Sequence, residues 1–185
     1  MEVINSEKDF KETIEEFIYD YPVCEFYYLR PDELIFSDKV RYICEHECPH
    51  YGKSWACPPG IQDIESCIKE CQRFENVFLF TSVASVPDCM DFDACLAARK
   101  DHEQMTHDIR KQFELRFGKV LALSTGCMLC DTCTYPDEGC RHPEERLSTI
   151  ESHGILIMET ASRLGVTLDC GNEIVTYISL VFFNS

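Results

Sequence analysis

Apolar residues recur at helical spacing near the start of the chain. Phe10, Ile14, Phe17 and Ile18 fall on one side of residues 7–19, which predicts an amphipathic helix. The aromatic run "CEFYYL", 24–29, predicts a strand, and "KVRYIC", 39–44, predicts a short second strand that delivers Cys44 into a loop. Residues 45–60 have no period, and "PPG" at 58–60 marks them as loop. A helix over 62–73 and a buried strand over 76–84 follow. A long helix is predicted over about 93–116, ending near Gly118. The run 119–126 reads as a strand feeding a second long loop. Helical stretches are expected near 143–153 and 155–164, the latter capped by Gly165. The last segment alternates apolar and polar residues around Gly171-Asn172, a hairpin signal. This order predicts an α+β fold: one domain over 1–185, a mixed sheet with packed helices, and two long cysteine-rich loops at about 44–60 and 126–143.

Composition changes the picture in two ways. A chain of 185 residues with 45% apolar content can bury a core without disulfides. The formal charge of −16 argues against nucleic acid or an anionic membrane, both of which need a basic surface. Its bland reading is a solvated acidic face, and its sharper one a partner protein with a basic docking patch. The polar, acidic start is unlike a signal peptide, and no run of about 18 apolar residues suggests membrane insertion. The expected location is therefore the cytoplasm, where thiols stay reduced. Thirteen cysteines in that setting point to metal before disulfides.

The densest signal is "GCMLCDTCTYPDEGC", 126–140. Cys127, Cys130 and Cys133 follow C-x2-C-x2-C, and Cys140 comes seven residues later. A thiolate every third residue can wrap one face of a cubane cluster while a more distant cysteine closes it, which is the logic of ferredoxin loops. Zinc prefers two C-x2-C knuckles separated by a longer span. The spacing thus favours a 4Fe–4S cluster, with zinc as the alternative. Gly126 and Gly139 are expected to let the backbone approach closely and to take positive φ.

A second set, Cys44, Cys48 and Cys57, has the looser spacing C-x3-C-x8-C. It is one ligand short of a closed site. Cys67, Cys71, Cys24, Cys170 or a residue of the other loop is the missing member, or His46 and His50 complete a mixed zinc site. Three thiolates on a cluster also leave one iron open, and an open iron acts as a Lewis acid. The simplest reading of Cys67, Cys71, Cys24 and Cys170 is as small core residues.

With these motifs in view, "VRYIC…C…YGKSWACPP", "TGCMLCDTCTYPDEGCRHP" and "STIESHGI" resemble a prokaryotic family of predicted metal-binding proteins, from about Val40 to the C-terminus. The resemblance implies metal binding through Cys44, Cys48, Cys57, Cys127, Cys130, Cys133 and Cys140. It supplies no reaction, and the family's likeness in habitat to cluster proteins of anaerobes suits an oxygen-sensitive centre.

Around the cysteines, Arg141 would raise a cluster's potential or hold an anion, Arg41 and Lys53 would offset thiolate charge or bind an anionic substrate, and Trp55, Tyr51 and Met128 would shield a centre from water. Ser148-x-x-Glu151 fits a capping box. No phosphate-binding or dinucleotide glycine motif is present. Three functions remain in play: single-electron transfer to a redox partner, an enzyme using an open cluster iron for sulfur transfer or reductive chemistry, and a zinc-stabilised interaction module.

Overall fold

A computed structural model describes residues 6–185, with side chains from Phe10 onward. The described residues form a mixed five-stranded sheet of order β1-β2-β5-β3-β4: Phe26–Leu29, Asn76–Ser85, Ile174–Phe183, Leu121–Ser124 and Ser148–Thr149. All neighbours are antiparallel except β3 and β4. The longest pairing runs in register from Asn76↔Phe183 to Ser85↔Ile174.

Strand alternation divides the core into two layers. Val77, Leu79, Leu180 and Phe182 face one side, where Cys71 of α3 (Ile64–Cys71) and Ile157 and Ala161 of α6 (Ile157–Leu164) join them. Phe78, Phe80, Val181 and Phe183 face the other, against Ile14 and Phe17 of α1 (Ser6–Ile18) and Ile109 and Phe113 of α5 (Lys100–Phe117). A sheet covered on both faces needs apolar residues at both strand parities, hence the near-continuous run in β2 and β5. Phe78, Phe80, Phe113, Phe182 and Phe183 are fully buried, each worth roughly 1.5–3 kcal/mol.

Several expectations are corrected. Residues 39–44 lie in a helix, α2 (Lys39–Glu47), not a strand. The helix turns Val40, Arg41 and Cys44 inward and leaves Tyr42 and Ile43 in solvent, so its aromatic and β-branched residues mimic a strand only in sequence. The long helix is broken at Arg99 into α4 (Phe92–Ala98) and α5. Residues 143–153 hold β4 and a 3-10 turn, Glu151–His153, in place of a helix. Ser148 is a strand residue and makes no capping box; Thr149 does the local work, its hydroxyl accepting from Ser152 N (3.1 Å). The C-terminal hairpin does not form. Residues 166–170 are not a strand, and β5 sits between β2 and β3, where ten residues of pairing with β2 outweigh a short local turn. Gly165 caps α6 in the left-handed conformation, as expected.

Candidate metal centre

β3 runs directly into the second cysteine loop, and its exit is held from below by a buried polar chain. Glu103 of α5, 2% exposed, accepts through Oε1 from Ser124 Oγ (2.7 Å), Thr125 N (3.1 Å) and Thr125 Oγ1. Ser124 Oγ also meets Ser179 Oγ (2.7 Å), which in turn meets Thr106 Oγ1 (2.9 Å) and His102 Nε2 (2.8 Å); His102 Nδ1 meets Ser82 Oγ (2.7 Å). Burial pushes the His102 pKa down to about 4, so the ring is neutral and joins two hydroxyls. Burial raises the Glu103 pKa, against the hydrogen bonds of Thr125 and Ser124. Its Oε2 is buried with no partner.

Arg99, at the helix break, donates to Thr125 O (3.0 Å) and touches Met128 Sδ (3.3 Å). Gly126 then takes φ +134, and a Cβ there would meet the Arg99 guanidinium and the Thr149 methyl at 3.4 Å. This is the close backbone passage expected at Gly126; Gly139 does not take positive φ.

Beyond this root the loop closes on itself. Cys127, Cys130, Cys133 and Cys140 line one small cavity of ≈ 30 Å³, together with Ser54 and Trp55 of the first loop. Burial raises the Cys127 pKa, while the N–H groups of Leu129 and Leu147 favour its thiolate and Cys140 and Cys130 oppose it. At Cys133 burial also acts upward. There the N–H groups of Trp55 and Tyr135, the Ser54 hydroxyl and the Arg141 guanidinium outweigh it and hold the pKa below the usual value. The two loops thus meet at Cys133. Trp55 secures the junction by donating to Glu138 O (2.9 Å) and packing edge-to-face on Tyr135 (4.9 Å, 81°).

The first set sits at the C-terminal part of α2 and in the loop after it. Burial raises the Cys44 pKa, with Cys48 and Glu151 adding to it and Arg41 opposing. Cys57 is pushed up to about 11 by burial, despite a hydrogen bond from Thr149, and again Cys48, Cys44 and Glu151 contribute. Cys44, Cys48, Cys57 and Glu151 therefore share one electrostatic neighbourhood. Glu151 is exposed, and desolvation by the protein around it raises its pKa. Arg41 donates through Nη2 to Ser152 O (2.8 Å) and Gln62 O (3.2 Å), but its Nε is buried without an acceptor.

Among the described residues, no three His, Cys, Asp or Glu side chains converge as they would around a single metal ion. The chemistry of the residues nonetheless suits an anionic thiolate-bound group: four thiols around one space, N–H groups favouring two of the sulfurs, and an orphan guanidinium N–H near Cys44.

Other predicted participants lie elsewhere. Cys67 and Cys71 are buried, as expected, with Cys67 Sγ 3.8 Å from the Arg41 guanidinium. Cys24 is exposed and Cys170 is half-buried, so neither is a core residue. His46 stacks on Tyr42 (3.9 Å) and His50 packs beside Phe92 (5.7 Å), both in solvent. The sequence reading named Glu151 as a proton donor near a cluster but missed Glu103 and Thr149 as supports or neighbours of the cysteines. The signal for Glu103 was "STG" before Cys127, a strand exit whose two hydroxyl residues need a partner.

Fold and site together define a cysteine-rich α+β protein with two interlocked thiol loops. Residues 27–183 match the family described as "Predicted metal-binding protein (DUF2284)", and the chain belongs to that family. No curated protein and no solved structure matches the chain. Among the described residues, no helix is long and apolar enough to cross a membrane.

Proposed function

We propose that the chain binds a 4Fe–4S cluster through Cys127, Cys130, Cys133 and Cys140 and passes single electrons to a partner protein in the cytoplasm. The observation that carries this reading is that all four thiols of one loop line one cavity. When bound, such a cluster supplies a one-electron couple whose potential follows hydrogen bonding to its sulfurs and its exposure to solvent. The chain's own residues address both. The N–H groups of Leu129, Leu147, Trp55 and Tyr135 favour the thiolates, Arg141 adds positive charge at Cys133, and Trp55 covers the cavity. The acidic surface steers a basic redox partner.

Cys44, Cys48 and Cys57 form the second candidate centre, with Glu151 the acidic neighbour and Arg41 the compensating charge. A three-thiol set with a solvent-facing carboxylate supports the enzyme reading, an open iron serving as Lewis acid.

Four thiols lining one cavity are equally a ligand set for zinc. Metal and acid-labile sulfide analysis of anaerobically purified protein separates the two. Iron and sulfide in equal amounts, lost in part in Cys130→Ser, support the cluster; zinc without sulfide refutes it.

A further inference from the structure

A second, larger cavity of ≈ 240 Å³ lies beside the thiols, between α3, β3 and the segment leading into β4. Arg146 lines both cavities. At ≈ 240 Å³ the space falls below the roughly 300 Å³ from which pockets for drug-sized ligands begin, so it suits a small metabolite.

Two opposite charges line it without neutralising each other. Arg146 and Glu70 are both half-buried. The ion pairs among the described residues engage Arg30, Lys69, Arg110 and Lys111, and the side chains of Arg146 and Glu70 make no hydrogen bond there. The other guanidinium in the lining, Arg110, is committed to Glu114 (2.7 Å) and to the carbonyls of Glu144 and Glu145. Glu144 is exposed. His153, 4% exposed, is held neutral by burial, with its pKa pushed down to about 4. Its Nδ1 is engaged by Ser152 Oγ (3.1 Å) and Thr149 O (3.3 Å), leaving Nε2 without a protein partner.

A half-buried charge with no partner carries a desolvation cost that a bound counter-charge removes. An unpaired guanidinium and a half-buried unpaired carboxylate in a single cavity, not bonded to each other, call for a ligand bearing both charges. We infer that this cavity binds a small zwitterion of the α-amino-acid class, its carboxylate on Arg146 and its ammonium on Glu70, with His153 Nε2 as a neutral acceptor. Arg146 places the carboxylate end beside the four-thiol cavity. The inference holds whichever metal the thiols carry.

Calorimetric titration of the metal-loaded full chain with a panel of L-amino acids tests it, with the matching monocarboxylates and alkylamines as controls. At least one amino acid should bind, and its deaminated and decarboxylated counterparts should bind at least roughly tenfold more weakly, the weight of one charge-assisted hydrogen bond. Glu70→Gln should weaken amino-acid binding by a similar factor while the metal content stays constant, since Glu70 lines only the larger cavity. Arg146→Gln should lose the preference for a carboxylate, and Arg146→Lys should retain part of it. No amino-acid binding at millimolar concentration, equal binding of the single-charge controls, or indifference to both Glu70→Gln and Arg146→Gln would overturn the inference. Metal analysis of the same samples reports on the thiol loops separately, so failure of the cluster reading leaves this result interpretable.

Discussion

Trp55 and Tyr135, one from each cysteine loop, meet edge-to-face at 4.9 Å with their planes at 81°. Contacts of this kind add about 0.5–1.5 kcal/mol beyond the area they bury. The backbone N–H of the same Trp55 favours the Cys133 thiolate. Trp55→Ala should destabilise the fold by roughly 1–3 kcal/mol and speed metal loss to a chelator. Denaturant melts and the rate of chelator uptake measure the two effects.

Gly60 lies beneath the same junction. A Cβ there would stand 2.7 Å from Ser54 O and 3.1 Å from Tyr135 Cδ2, so the backbone of one loop or the ring of the other must move. Gly60→Ala should cost about 1–3 kcal/mol, as overpacking does, and lower metal occupancy. Retention of wild-type stability and metal content would show that the loops do not depend on this close passage.

The buried carboxylate of Glu103 holds Thr125, two residues before Cys127. Glu103→Ala strands the Thr125 N–H and hydroxyl and leaves Ser124 Oγ only its Ser179 contact, at a cost of roughly 2–3 kcal/mol. Glu103→Gln keeps an oxygen for the Thr125 N–H and should lose less than half as much. The same order of variants is expected in metal content, since both effects act through the loop's root.

His102 gives the stability a pH dependence. Its native pKa is about 4, below the unfolded value of about 6.5. Between these values the unfolded chain binds a proton that the native protein refuses. Stability is therefore full above about pH 6.5 and falls as the pH drops toward 4, by roughly 3 kcal/mol for this residue. His102→Gln should remove that component, so the difference between wild-type and variant stability should change with pH over this window. A constant difference would place the imidazole in water. The opposite pull of Glu103, whose pKa is raised, is present in both proteins and cancels.

Where one force dominated, the fold was readable from the residues. The Phe10–Ile18 stripe, the apolar run of β2 and the Gly165 cap each follow from a local pattern, and each appears in the structure. Reading failed where tertiary contacts decide. Residues 39–44 have strand-like side chains but form a helix that turns Arg41 and Cys44 inward. The alternation after Gly165 suggested a hairpin, but Ile174–Phe183 pairs with β2 across about a hundred residues of sequence. At the site, the spacing of the second loop named four cysteines that line one cavity. Glu103 and Thr149 come to the thiols from elsewhere in the chain, and only the hydroxyl residues before Cys127 hint at the first.

The most direct measurement of the central claim is electron paramagnetic resonance on anaerobically purified, chemically reduced protein, alongside iron and sulfide analysis. A four-iron cluster on the second loop predicts brown protein with about four iron and four sulfide per chain, or about eight of each if Cys44, Cys48 and Cys57 hold another. Reduction should bleach the colour and give about one spin per cluster, with the second-loop signal lost in Cys130→Ser. Colourless protein that carries zinc, no sulfide and no spin on reduction would contradict it.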